Sequence, residues 1–378
     1  MKNKLLSILL SILIATSILP GLSTASSLEL YEIKTHKEDA NLELLIDTYK
    51  FIKATYPFEI SDKDLSEASL KAMLRSLDPY SDYYTKEEAE EVYSNIFGSF
   101  TGIGVYIQKL EEYIEIVNPI EGTQADKAGL LSGDIIISID GKDTKDMTLD
   151  QTSKLIKGKE GTKVKLEILR KNKKLNFEII RKEVVVNPVK YEKLKDDIGY
   201  IKLIDFTQTS ATEVKKALDF FYKENINKII LDVRNNPGGL FDQAIEISSL
   251  FVERGPVVHV KEKEKAPISY FSTIIYPDKD LVLLINEKSA SASEILAGAI
   301  KDRKAGTIIG KKTFGKGIIQ NMIPLQNGSL IKLTTAEYLT PNYTSIHKIG
   351  IEPDIEVENT EDKDKQLDKA IQVLKTIK

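Results

Sequence analysis

Two apolar runs constrain this chain more than anything else in it. Lys228-Ile229-Ile230-Leu231-Asp232-Val233, with Ile229-Ile230-Leu231 at its centre, and Leu281-Val282-Leu283-Leu284-Ile285 are short, mostly apolar and bounded by turn residues, so they read as strands buried in a sheet. Gly199-Tyr200-Ile201 and Gly306-Thr307-Ile308-Ile309-Gly310 have the same character. Helical stretches separate these strands, at Ala211 to Lys223, Gln243 to Val252, and Glu294 through Ile300. Repeated strand-helix-strand units imply an α/β layered domain. In such a domain ligands gather where strands end and helices begin.

The rest of the chain differs in character. A length of 378 residues allows two or three domains, and 42% hydrophobic with 29% charged residues describes a globular protein. The net charge of -4, with lysines interleaved with glutamates, offers no electrostatic footing for nucleic acid. The absence of cysteine excludes disulfides, thiolate catalysis, cysteine-based zinc sites and a cysteine-linked lipid anchor. Lys2 and Lys4 precede an apolar segment from Leu5 to Leu19, a Pro20-Gly21 break and the small residues Ser23-Thr24-Ala25. This predicts a cleavable export signal over residues 1–25, since so short a segment falls below the roughly 20 residues that span a bilayer. An exported protein follows, with peripheral membrane association left open.

Residues 26–96 carry helical periodicity, with Leu42, Leu45, Ile46 and Tyr49 on one face. L-D-P-Y-S-D-Y-Y closes that stretch, and Thr85-Lys86-Glu87-Glu88 matches a capping box that opens another helix. The apolar face of this small region needs a neighbour, either the next domain or a second subunit. Over 97–183 the period changes to two, in T-G-I-G-V-Y-I, Ile114 to Val117, A-G-L-L-S-G-D-I-I-I-S-I-D-G and Thr162 to Arg170, with a short helix at Leu149 to Ile156. This order resembles a PDZ domain. PDZ domains hold a peptide's terminal carboxylate on backbone N–H groups and add the peptide as an edge strand. On that resemblance Gly102 and Gly104 let the backbone approach the carboxylate, and Ile103 and Val105 line the terminal side-chain pocket.

Within residues 184–378, S-A-S-A-S-E (Ser289 to Glu294) follows a buried strand and opens a helix. A serine there could attack a carbonyl while the next backbone N–H stabilises the oxyanion. The base could be a histidine, His36, His259 or His347, none of which has a distinctive context. It could also be Lys316, set between two glycines in K-K-T-F-G-K-G-I-I-Q, where apolar neighbours would disfavour its charged form. Gly310 to Lys316 also begins a phosphate-loop pattern. Gly317 stands where that loop needs Ser or Thr, and a strand-like Ile318-Ile319-Gln320 follows instead of a helix. Nucleotide binding is not expected.

Taken together, N-x-x-S-A-S-A-S-E-I-L-A-G-A, T-F-G-K-G-x-x-Q, D-V-R-N-N-P-G-G-L, L-D-P-Y-S, G-I-E-P-D and the PDZ pattern resemble the carboxyl-terminal processing peptidases. These are Ser-Lys serine proteases. The resemblance implies a helical N-terminal region, a PDZ domain and a crotonase-like, tail-specific-protease α/β core. It implies Ser291 as nucleophile, Lys316 as general base, Gln320 as the residue that orients the lysine, and the N–H groups of Gly239 and Ala292 as oxyanion hole. Asp302 falls on an acidic position, for which a surface ion pair with Lys301, Arg303 or Lys304 is equally expected. Ser289 and Ser293 take the roles of cap and helix start. No cofactor or metal is implied. The implied partners are a protein or peptide substrate with a free apolar C-terminus, captured or gated by the PDZ domain, and a second copy of the chain in a homodimer.

Three positions depart from the family pattern: Tyr80 where histidine is usual, expected to touch no catalytic residue, Glu337 where arginine is commoner, and Lys157 where arginine is frequent. The last puts coupling between PDZ domain and active site in doubt. A PDZ scaffold with an inactive core, or a crotonase-like acyl-CoA enzyme, are the readings from other classes; a fold does not fix a function.

Overall fold

The structure is a computed structural model and describes residues 40–97, 99–272, 279–360 and 362–376. The expected export signal, residues 1–25, and His36 lie outside the described residues. Among the described residues no helix is long and apolar enough to cross a membrane.

The chain divides into two compact units at Asp62, earlier than the change of period near residue 96. In the first unit, the helix Ala40–Thr55 leaves Leu42, Leu45 and Ile46 exposed. The Tyr49 hydroxyl donates to the Asp62 carboxylate at 2.9 Å, and Lys53 pairs with the same group.

The second unit explains why the division comes early. The helix Lys86–Phe97 opens with the expected capping box, Thr85 N–H donating to Glu88 at 2.8 Å and Glu88 N–H to the Thr85 hydroxyl at 3.3 Å. Glu88 also holds Lys71 at 2.8 Å. The strand Asp82–Tyr84 pairs antiparallel with the long strand Leu330–Leu339, so residues 63–97 are built into the core rather than set beside it.

The PDZ domain is a sheet in the order Val105–Leu110, Tyr113–Pro119, Ile135–Ile139, Lys163–Arg170, Lys173–Ile180. Its core packs Ile103, Ile114, Ile116, Leu130, Ile136 and Leu166 with residues of the helix Leu149–Ile156. Entry and exit strands, Ser99–Gly102 and Lys182–Val185, pair with each other and close the domain.

The α/β core carries a six-stranded sheet in the order Val189–Leu194, Ile198–Leu203, Lys228–Asp232, Asp280–Ile285, Thr307–Gly310, Ile355–Glu356. Its first pair is antiparallel and the others are parallel. Ile229, Leu231, Leu281, Leu283 and Ile285 face a cluster that includes the helices Ser210–Lys223, Phe241–Ser249 and Ala292–Asp302. On the other face, Ile230, Val282 and Leu284 pack with Ala370 and Leu374 of the helix Lys365–Thr376. Burial on both faces is the reason these strands are continuously apolar. A second sheet joins Gly255–Glu262, Ile268–Ser272, Ile318–Pro324 and Leu330–Leu339.

Candidate active site

The adjacent parallel strands Lys228–Asp232 and Asp280–Ile285 end side by side. One releases the turn N-N-P-G-G, the other S-A-S-A-S, and hydrogen bonds knit the two together. The buried Ser289 hydroxyl donates to the Val233 carbonyl at 2.8 Å, Ala290 N–H to Asn236 at 3.1 Å, and the Ser293 hydroxyl to Asn236 at 3.0 Å. Ser289 and Ser293 are therefore ties between loops. The N-cap position expected of Ser289 belongs to Ser291 itself.

Ser291 sits at φ 55 and ψ -114, a backbone conformation side chains avoid, and its carbonyl accepts from the N–H groups of Glu294 at 2.7 Å and Ile295 at 3.1 Å. Such strain costs on the order of 1–3 kcal/mol and persists only where the surroundings enforce it. Here Gly238 helps enforce it: at φ +107 it passes so close that a Cβ would stand 2.8 Å from Ser291 Cβ and 2.9 Å from Ala292 N. The N–H groups of Ala292 and Gly239 donate no hydrogen bond among the described residues. Two unspent donors thus stand beside the serine at the positive end of a helix.

Lys316 reaches the same place through a group that no motif had singled out for a role. The carboxylate of Glu294 is fully buried and accepts four hydrogen bonds. Ser291 N–H (2.9 Å) and Lys316 N–H (2.8 Å) donate to one oxygen, the Thr313 hydroxyl (2.6 Å) and Gly315 N–H (2.7 Å) to the other. One side chain holds both segments. The buried Tyr338 hydroxyl adds a second link, between the carbonyls of Ser291, at 2.9 Å, and Lys316. Glu294 could have been found as the i+3 partner of a helix-capping serine; Tyr338, from a strand 22 residues past Lys316, had no local signal. Tyr338→Phe takes this donor from the Lys316 carbonyl, while the Ser291 carbonyl keeps the N–H groups of Glu294 and Ile295; the loss should be about 1–3 kcal/mol, read by thermal unfolding, and an unchanged transition would mean that other donors replace it.

The Lys316 side chain is half-buried, with its Nζ 4.8 Å from the centroid of the Tyr80 ring. Tyr80 therefore does touch the candidate base, contrary to expectation. The Asp78 carboxylate folds the turn by accepting from Tyr80 N–H at 2.7 Å and Ser81 N–H at 2.8 Å, while Thr334 N–H donates to the Ser81 hydroxyl at 3.1 Å. Burial pushes the Lys316 amine below the usual lysine range and Lys332 adds to this, while Glu294 and Asp78 oppose it. Gly317 is required by close approach, since a Cβ there would meet His347 N at 2.6 Å.

Gln320 is not placed as even strand spacing suggested. The strand begins at Ile318, beyond Lys316, and its register slips between Ile319 and Gln320, which breaks the alternation. The Gln320 amide donates to Thr334 at 3.3 Å. Asp302 makes none of the expected ion pairs among the described residues and instead accepts from Asn342 N–H at 2.8 Å. The buried His259 is committed elsewhere: Nε2 contacts the Pro341 carbonyl at 3.1 Å and so carries the proton, leaving Nδ1 to accept from Ser269 at 2.7 Å. His347 Nδ1 is buried without a hydrogen-bond partner among the described residues.

In the PDZ domain, Ile103 and Gly104 N–H donate no hydrogen bond among the described residues, and Val105–Leu110 is an edge strand. Ile103 is fully buried in the domain core, so an open pocket wall falls to the half-buried Val105. Lys157 Nζ lies 5.5 Å from the centroid of the Phe100 ring. Arg181 caps the end of the neighbouring helix, donating to the Ile156 and Leu155 carbonyls at 2.9 and 2.8 Å.

Comparison with known proteins gives the same two parts. The profile of Peptidase family S41 matches residues 197–357, and that of the PDZ domain residues 115–170. A "Probable CtpA-like serine protease" of Staphylococcus aureus is 35% identical over 358 residues, 92% of this chain and 72% of the relative. One of Staphylococcus haemolyticus is 38% identical over 328 residues, 85% of this chain and 66% of the relative. The chain thus spans about two thirds of the length of these relatives. Among solved structures, the photosystem II D1 C-terminal processing protease is 29% identical with a TM-score of 0.52, covering 87% of this chain and 91% of that one.

Proposed function

Because the chain belongs to peptidase family S41, among the carboxyl-terminal processing peptidases, we propose that it is a serine endopeptidase working through Ser291 and Lys316. The observation that carries this reading is the Glu294 carboxylate, which grips the backbone of both residues at once. Neutral Lys316 accepts the Ser291 proton as Oγ forms a bond to the scissile carbonyl carbon, and the carbonyl oxygen becomes an oxyanion facing the N–H groups of Ala292 and Gly239. Collapse breaks the C–N bond, and the lysine passes its proton to the leaving amine. Water then attacks the acyl-enzyme with Lys316 again as base, regenerating Ser291 and releasing the acid.

The substrate class follows from the PDZ domain. An extended C-terminal tail adds to the free edge of Val105–Leu110 with its carboxylate on the Ile103 and Gly104 N–H groups, and cleavage occurs upstream. The N-terminal leader supports an exported enzyme, with membrane association peripheral. The exposed apolar face of Ala40–Thr55 supports a homodimer.

The reading is tested with an unstructured peptide ending in apolar residues, offered with a free or an amidated C-terminus. The free acid should be cleaved at least about tenfold faster at subsaturating concentration, since a charge-assisted contact is worth roughly 1.5–3 kcal/mol. Equal rates would remove carboxylate capture, and no cleavage of either peptide or of unfolded proteins would leave an inactive PDZ scaffold.

A further inference from the structure

The mechanism needs Lys316 beside Ser291, yet among the described residues the lysine amine makes no hydrogen bond to the serine and stands over an aromatic ring at 4.8 Å. That ring belongs to Tyr80, which comes from the turn before Asp82–Tyr84, on an element that supplies none of the reacting groups. We infer that Tyr80 is a positioning residue: its ring is a second seat for the Lys316 ammonium, and the base is held off Ser291 for as long as it occupies that seat. The inference rests on the Ser291-Lys316 reading above.

The geometry has a physical consequence. A ring face attracts a cation and is indifferent to a neutral amine. The seat is therefore occupied by the lysine in its protonated, incompetent form and vacated by the form that takes a proton. The turn is fixed well enough to act in this way. Asp78 accepts two backbone N–H groups and the Ser81 hydroxyl, and Ser81 is bonded in turn to Thr334 of the strand Leu330–Leu339.

The other charged and titratable groups facing the amine divide by element. Asp78 shares the turn with Tyr80 and favours the ammonium; Glu294, on the helix that begins after Ser291, favours it as well. Lys332, from Leu330–Leu339, opposes it and has its own ring, Tyr84, at 5.3 Å. Tyr338 meets the backbone carbonyls of Ser291 and Lys316 rather than the amine. Tyr80 is thus the one uncharged group among them whose removal acts on the protonated lysine alone.

The experiment compares Tyr80→Phe, Tyr80→Leu and Tyr80→Trp in the full chain. Labelling of Ser291 by a fluorophosphonate is followed from pH 6 to 10, with thermal unfolding as the control for folding. Phe keeps the ring and should reproduce the wild-type profile. Leu should move the rising limb about one pH unit lower, making labelling at neutral pH roughly tenfold faster, while Trp should move it higher. Identical profiles for Leu and Phe overturn the inference. If Leu does not fold, an unmoved Trp profile does the same.

A second readout requires no activity. In Ser291→Ala protein, the lysines are reductively methylated with ¹³C and the Lys316 signal, assigned by its loss in Lys316→Arg, is titrated with and without Tyr80→Leu. A shifted titration, with a wild-type chain that cleaves nothing, keeps the seat and rejects the peptidase. An unshifted titration, with a wild-type chain that is active, rejects the seat and keeps the peptidase.

Discussion

Ser291→Ala is expected to lower peptide cleavage by roughly 10⁴- to 10⁶-fold, the range seen when other serine hydrolases lose their nucleophile, with the fold retained. Alanine meets the same positive φ as serine and keeps the Ser291 N–H bond to Glu294; it gives up only the hydroxyl's part in the capping box, so stability should fall by no more than about 1 kcal/mol. Glycine discriminates further. At φ 55 and ψ -114 a Cβ is a liability, and Ser291→Gly should be as inactive as Ser291→Ala but about 1 kcal/mol more stable. Lys316→Arg should match Lys316→Ala in inactivity, because a guanidinium does not release its proton near neutral pH. Cleavage rates and urea unfolding of the four variants check this together; an alanine variant retaining a hundredth of the activity would sink the assignment. In wild type the rate should rise with pH as Lys316 loses its proton, and it should do so below the ordinary lysine range because burial disfavours the ammonium.

Glu294→Ala is expected to damage stability and chemistry together. Removing the carboxylate strands four donors, three of them backbone N–H groups, where no water reaches. At about 1–3 kcal/mol for each buried group left unpaired, with part recovered by relaxation, a loss of at least about 3 kcal/mol follows. Glu294→Gln is the sharper test. It keeps the shape but replaces an oxygen that accepts two bonds with an NH₂ that can accept none. Since the carboxylate fixes where Ser291 and Lys316 meet, a displacement of about an ångström should cost roughly 100-fold in turnover, beyond any loss of folded protein. Thermal unfolding and turnover per folded molecule measure the two parts separately. Near-normal turnover in Glu294→Gln would show that the two segments are held by Tyr338 and the loop ties alone.

Legibility from sequence followed the range of the forces involved. The helix at 86–97 was legible because its capping box is a contact three residues long. The buried strands were legible because two covered faces demand unbroken apolar character, and the peptidase resemblance rested on motifs that are contiguous. The even spacing expected between Lys316 and Gln320 failed because it depends on where a strand starts and on a slip in pairing with a partner strand, neither of which leaves a mark in local spacing. Asp302 was misjudged because its neighbours in sequence lost to Asn342, forty residues on.

What the sequence alone determined is the order of the parts and the residue types that chemistry requires: a PDZ pattern, a serine at a strand-to-helix junction, a glycine-flanked lysine and a Gly-Gly turn. Only the tertiary structure decided what surrounds them. Burying Glu294 made it satisfy four donors from two segments, since a charge withdrawn from water must be matched by hydrogen bonds. Pairing Asp82–Tyr84 with Leu330–Leu339 carried Tyr80 to the face of Lys316, because a strand pairing, unlike a motif, brings together residues more than 200 positions apart.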